Sequence, residues 1–310
     1  MKSFLRNILL YITIIIPLYI IVVGFWGKNL GYYGIGSYGH MYSRIKEIQD
    51  YQNSDLLFLG SSHSYRSFDP RVFQKHGITS FNLGSSAQSP MQTEVLLKEY
   101  LDVINPKLII YEICPLDIES SGIESTTDLI SNKHIDFNIC WLAFKTGNIS
   151  VINTLIYALF QEYVYHIRDS FHEEIVKDGD CYVSGGFVEK VDYSPFENGT
   201  IQTPKNYMIR SYQLKSFERC IKMIRNRNIP LLLVTVPFPK HTYESISNQK
   251  KFNKIISSYG QYVDFNMILH LNDTCFYDSN HLAQPGVITF DECLIQVLDS
   301  IGLQKVITQN

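Results

Sequence analysis

Short runs dominated by apolar residues recur along the chain, at 56–59, 78–83, 108–113 and 231–236, with a weaker one at 262–265. A strand with one wet face alternates polar and apolar positions. A strand covered on both faces does not, so these runs predict parallel strands buried on both sides. Between them lie stretches with helical spacing, at 91–103, 212–226, 243–258 and 287–301. Strand and helix in alternation require right-handed crossovers, which place helices on both faces of the sheet. The expected fold is α/β, a doubly wound parallel sheet in a three-layer sandwich. Ligands bind such sheets at the carboxyl ends of the strands, where Ser62, Gly84 and Glu112 all fall.

Residues 119–205 interrupt this rhythm. They contain one helical stretch at 150–171, then a Gly-rich polar segment with Gly179, Gly185, Gly186 and Gly199. We read them as an insertion or lid over the strand ends, within a domain running from 55 to 305. No internal repeat or low-complexity tract is visible.

The N-terminus carries a second constraint. From Ile8 to Trp26 there are 19 residues without a charge, and at a helical rise of about 1.5 Å each they match a hydrocarbon core of about 30 Å. Residues 1–30 are expected to form a membrane anchor. Pro17 is tolerated there because lipid-embedded helices accommodate kinks. Lys2 and Arg6 precede the run and Lys28 follows it, which favours a cytoplasmic N-terminus and a body on the extracytoplasmic side. The run exceeds a usual signal-peptide core and no small-x-small cleavage site follows, so the anchor is read as retained. Residues 31–54 then form a juxtamembrane linker with a short helix at 41–50.

Composition narrows the function. A net charge of -3 without a Lys/Arg cluster excludes a nucleic-acid partner, and 45% hydrophobic residues against 18% charged describe a folded chain. The 21 Tyr and 18 Phe are assigned to core filling. Cys114, Cys140, Cys181, Cys220, Cys275 and Cys293 include no C-x-x-C pair that would suggest zinc or redox chemistry, and are read as buried thiols. Glycosylation-type triplets at 148–150, 198–200 and 272–274 carry no functional weight.

Two motifs carry the chemistry. The first apolar run ends at Gly60-Ser61-Ser62-His63-Ser64, and near the other end of the chain stands Asp278-Ser279-Asn280-His281-Leu282. A serine hydroxyl is a poor nucleophile at neutral pH. It needs an imidazole to take its proton, and the imidazole needs a carboxylate to fix its tautomer. Asp278 and His281, three residues apart, can bond each other within one turn and leave the second ring nitrogen facing outward. His63 is read as structural, because a tight turn aims it away from Ser62. Arg66 and Asp69 are expected to pair beneath the site. Glu112, at a strand end, is either a substrate contact or a partner for the backbone of a neighbouring turn, and Gln88, Ser89 and Tyr111 are weaker candidate substrate contacts.

On these residues the chain resembles the SGNH (GDSL-like) hydrolase superfamily, from about Asp55 to Ile301 less the insertion. The family's Gly-Asp-Ser block falls on Gly60-Ser61-Ser62, which implies Ser62 as nucleophile. Its second-block glycine falls on Gly84, whose N–H would join that of Ser62 in an oxyanion hole. Its fifth block falls on Asp278 to Leu282, which implies His281 as base and Asp278 as its orienter. Ser61 stands where the family has aspartate, and no Gly-x-Asn-Asp block follows Tyr111-Glu112-Ile113-Cys114-Pro115. The resemblance implies a flavodoxin-like sandwich, with no metal and no organic cofactor. The Ser-His-Ser run is also similar to a signature of membrane-linked SGNH-like proteins that O-acetylate exported polysaccharides. This implies an acylated carbohydrate or small ester as substrate, cleaved or transferred. The alternative is a non-catalytic, glycan-binding accessory partner of a multi-pass membrane O-acyltransferase.

Overall fold

The computed structural model describes residues 1–196 and 203–308. Gly199 and the triplet at 198–200 lie outside the described residues. Helix α1 (Lys2–Trp26) is followed by α2 (Met41–Glu47), β1 (Leu56–Leu59), the single-turn α3 (Ser62–Tyr65), α4 (Pro70–Lys75), β2 (Ser80–Asn82), α5 (Pro90–Ile104), β3 (Leu108–Glu112) and α6 (Pro115–Glu119). The insertion supplies α7 (Ile123–Asn132), α8 (Phe137–Thr146), α9 (Ile149–Tyr163) and an antiparallel ribbon of β4 (Val176–Lys177), β5 (Asp180–Val183) and β6 (Phe187–Lys190). The α/β rhythm then resumes with α10 (Ser211–Asn226), β7 (Leu231–Thr235), α11 (Lys240–Ser245), α12 (Gln249–Ser257), β8 (Tyr262–Asp264) and α13 (Gln284–Ser300).

The main sheet has the order β2-β1-β3-β7-β8 with every pair parallel. Leu57 lies opposite Phe81 on one side and Ile109 on the other. Successive residues of each strand enter different layers. Leu57, Leu59, Ile109 and Leu233 pack with Val95 and Leu96 of α5, Phe217 of α10 and Phe252 of α12. Leu56, Phe58, Leu108, Ile110 and Leu232 pack with Phe73 of α4 and with Phe290 and Leu294 of α13. All nine strand residues are at most 1% exposed, which is why their sequence shows apolar runs and no alternation.

Local chemistry sets the element ends. Helix α5 opens on a capping box between Ser89 and Gln92 with Pro90 in its first turn, and closes on Asn105 in the left-handed region at φ 44°. The stretch at 243–258 forms two helices, where one was expected. Ile246 bridges Lys205, and Ser247 N–H bonds the Lys205 carbonyl at 2.9 Å, so the chain returning from the insertion interrupts the helix. The stretch at 150–171 ends its α-helix at Tyr163, after which the chain turns to bury Arg168 against Glu162 at 3.2 Å. The Gly-rich segment docks on the edge of β2. Asn82 N–H donates to the Gly185 carbonyl at 2.8 Å, and a Cβ on Gly186, at φ 89°, would lie 2.4 Å from the Asn82 carbonyl oxygen. This backbone approach covers an edge that would otherwise expose unpaired groups.

Residues Arg6–Trp26 of α1, with mean hydropathy 2.7 over the best window, are long and apolar enough to cross a membrane. Phe58 sits at the centre of the second layer, stacked on Phe68 at 4.2 Å and 4°. Phe58→Ala is expected to cost about 3 to 5 kcal/mol, read as a lower midpoint in denaturant unfolding of the full chain in detergent. A loss under about 1 kcal/mol would mean that this layer is not the close-packed core described.

Candidate active site

The chain leaves β1 through Gly60 at φ 142°, a conformation that side chains rarely adopt. A Cβ there would also fall 2.6 Å from Glu112 Oε2 and 2.9 Å from the Glu112 carbonyl oxygen. Only glycine lets the turn pass this close to the end of β3. Ser62 then occupies the first position of α3, half-buried, at the carboxyl end of the sheet.

The second motif lies in the loop between β8 and α13, pinched by an antiparallel bridge between Phe276 and Leu282. Asp278 Oδ1 accepts from the N–H groups of Asn280 (2.7 Å) and His281 (2.8 Å), so the carboxylate builds the turn that carries its own partner. Asp278 Oδ2 meets His281 Nδ1 at 2.8 Å. His281 Nε2 stands 2.8 Å from Ser62 Oγ, across 219 residues of sequence. Burial works against the charge of Asp278, but the His281 hydrogen bond and the two turn N–H groups hold its carboxyl below the ordinary value. An ionised Asp278 assigns the ring proton to Nδ1 and leaves Nε2 to accept from the Ser62 hydroxyl. Tyr277 stacks on the imidazole at 5.5 Å and 8°, and Arg66 lies 5.7 Å over the Tyr277 ring.

Other expectations are corrected. Glu112 does not face substrate: fully buried, it points Oε2 at the N–H and hydroxyl of Ser61 at 3.4 and 3.5 Å. Burial, reinforced by Asp117, pushes its carboxyl well above the usual range, and its two contacts with Ser61 support the turn after β1. Gln88 is buried with its amide on Thr93 Oγ1 at 2.9 Å, Tyr111 is buried against Phe217, and Ser89 caps α5. Gly84 is also removed from the expected oxyanion hole, because its N–H donates to Asn82 Oδ1 at 2.9 Å. A Cβ there would stand 2.9 Å from the Gly60 carbonyl oxygen, so Gly84 serves as a spacer for the nucleophile turn. Arg66 and Asp69 do not pair with each other. Arg66 forms a fork with Asp180 of β5 at 2.6 and 3.0 Å, whereas Asp69 caps α4 and bonds Arg71.

His63 is buried with Nδ1 3.5 Å from Cys114 Sγ and its ring 5.1 Å from that of His281. Burial, then the proximity of His281, pushes its pKa down to about 3, so it is neutral at pH 7. Beneath the turn, His63, Glu112 and Cys114 bring potential metal-ligand atoms within 4.8 Å of one another.

A pocket of about 450 Å³ opens in front of Ser62 and His281. Its wall includes Asp117, Tyr207, Arg210 and Asn280, which sequence reasoning had not assigned to the site. Asn280 lay inside a recognised motif, whereas Tyr207 and Arg210 come from the irregular return of the insertion, where no pattern marks them. A larger cavity of about 900 Å³ shares Ala87, Ser120 and Ser121 with this pocket and reaches Leu30–Tyr33, just after α1.

No family model and no curated protein matches this chain. Among solved structures it is similar to a GDSL-like lipase of Bacteroides thetaiotaomicron, at 9% identity and a TM-score of 0.45, over 85% of this chain and 98% of that one. It is also similar to an acylhydrolase candidate of Bacteroides fragilis, at 11% identity and a TM-score of 0.42, over 85% of this chain and 97% of that one.

The loop that bears Ala87 is held by Asp128 of α7, whose Oδ2 accepts Ser86 N–H at 3.1 Å. Burial raises the Asp128 carboxyl from the ordinary 3.8 to about 7, against the opposing pull of the Ser86 N–H and the Arg44 charge. The folded state therefore favours the protonated form, and the contribution of Asp128 to stability falls as pH rises from 3.8 to about 7. Asp128→Asn is expected to remove that contribution, so that the stability difference between variant and wild type changes by up to about 4 kcal/mol across the window. Parallel curves for wild type and variant would sink the assignment.

Proposed function

We propose that the chain is a membrane-anchored serine enzyme of SGNH type that cleaves or transfers an acyl ester, in the first instance acetyl, on cell-surface carbohydrate. One observation carries the reading: Ser62 Oγ, His281 and Asp278 are linked by two hydrogen bonds of 2.8 Å at the floor of an open pocket. In the mechanism, the Ser62 proton passes to His281 Nε2 as Oγ attacks the ester carbonyl, and Asp278 holds the resulting imidazolium. The tetrahedral oxyanion takes the Ser62 N–H at the start of α3. Asn280, in the same wall, offers an amide as second donor in place of Gly84. Collapse expels the alkoxide, which receives the proton from His281. Water or a sugar hydroxyl, deprotonated by His281, then releases the acyl group from Ser62. The hydrogen-bonding wall of Ser120, Ser121, Tyr207 and Arg210 suits sugar hydroxyls. The charge pattern around α1 supports a body on the extracytoplasmic side.

The accessory reading gains one specific point, since Gly84 lends no N–H to an oxyanion. A fluorophosphonate probe separates the two. The enzyme reading expects covalent labelling of the full chain that disappears in Ser62→Ala, and an Asp278→Asn variant slowed on the order of 10³- to 10⁴-fold. A folded wild type that takes up no probe would leave only the accessory role.

A further inference from the structure

Helix α9 runs beside the last third of α1. Tyr19 Oη bonds Asn153 Oδ1 at 2.5 Å, and the Phe25 ring meets Phe160 at 5.3 Å and Tyr165 at 6.1 Å. Gly24 and Gly27 let the contact close, because a Cβ on either would lie 2.4 Å from the ring of Phe160 or Tyr157. Tyr19 lies seven residues before Trp26, the end of the apolar span, which is about 10 Å along the helix axis. Asn153 also bonds Tyr32, six residues past the span, at 2.6 Å, so α9 lies level with the outer end of α1, between Tyr19 and Tyr32. If α1 crosses a bilayer, α9 enters that bilayer with it.

The composition and side-chain pairing of the insertion fit such a position. Residues 146–161 contain no charge. Asn153 is buried and bonded to Tyr19 and to Tyr32, and Thr154 bonds the Ser150 carbonyl at 2.9 Å, so these polar groups are paired within the protein. The neighbouring α8 turns an apolar face outward, with Phe137 at 82%, Trp141 at 40% and Phe144 at 69% exposure, spaced four and three residues apart. Ile149, at the start of α9, extends it at 64%. Lys98 and Lys145 stand over the Trp141 ring at 5.7 and 4.3 Å. The Lys98 ammonium also pairs with Glu94 at 2.8 Å, and an indole flanked by such ammonium groups is the chemistry of the lipid headgroup level.

We propose that the α8–α9 pair is a second membrane contact, inserted into the leaflet on the body's side with Phe137, Trp141, Phe144 and Ile149 facing lipid. The inference rests on the reading of α1 as a membrane span. It makes the proposed catalytic domain a body seated on the bilayer through two elements, α1 and the α8–α9 pair. The cavity adjoining the active-site pocket then opens beside the membrane, at Leu30–Tyr33.

The chain contains two tryptophans, one in each contact, so each can be read alone. Full-length Trp26→Phe and Trp141→Phe are reconstituted in vesicles of phosphatidylcholine brominated on the acyl chains, and emission is compared with unbrominated vesicles. The proposal expects loss of emission from both variants, with Trp141 shielded from aqueous iodide. If Trp26 is quenched by the lipid while Trp141 answers only to iodide, the face is wet and the proposal falls with the anchor intact. Trp141 quenched by neither reagent would mean that protein covers it, a second copy or a partner, which also overturns the proposal. Failure of both tryptophans to respond to brominated lipid would refute the span itself.

Discussion

Burial of β1 and β3 on both faces is the constraint from which the rest of the structure follows. A strand sealed above and below by helices offers only its ends to solvent. The sheet order β2-β1-β3-β7-β8 sends the connections after β1 and β3 in opposite directions, so a crevice opens between their carboxyl ends. Ser62 follows β1 directly into that crevice, and the loop after β8 brings His281 to it from across the sheet. Ser62 and His281 owe their meeting to the packing of Phe58, Phe290 and their neighbours, none of which touches the pocket.

The turn that carries Ser62 is held from below by His63 and Glu112, whose charged forms burial disfavours. Glu112 fills the space left by Gly60 and presents its carboxyl to Ser61. With His63 neutral beside it and no carboxylate at position 61, the turn rests on hydrogen bonds and packing rather than on an ion pair. Gly84 completes this support by allowing the end of β2 to approach the Gly60 carbonyl. Gly84, which the motif comparison assigns to an oxyanion hole, thus acts as part of a foundation, and the proposed chemistry rests on Ser62, His281 and Asp278.

The insertion connects the site to the rest of the molecule in three ways. Its ribbon closes the β2 edge and anchors Arg66 through Asp180, so that Arg66 can stand over Tyr277 and Tyr277 over the imidazole. Its return strand brings Tyr207 and Arg210 to the pocket wall. Its helices α7 to α9 join the first core layer on one side and α1 on the other, so the apolar N-terminal helix and the catalytic crevice belong to one packed body.

Doubly buried strands, an uncharged run long enough to cross a bilayer and an Asp-x-x-His turn were legible in the sequence because each is written in local spacing: apolar period, length, and a carboxylate within one turn of its imidazole. Local spacing does not say which neighbour a side chain will meet. Glu112, Gln88 and Tyr111 stand near strand ends or turns as a substrate contact would, yet tertiary packing turned all three inward. It likewise gave Arg66 a partner 114 residues away instead of Asp69, three residues away. The sequence by itself determined the layers and singled out the serine, imidazole and carboxylate that the fold links by hydrogen bonds, since those follow from burial periodicity and side-chain chemistry. The tertiary structure alone decided which polar groups border the pocket, because that depends on long-range approaches of backbone, at Gly60, Gly84 and Gly186, that no periodicity records.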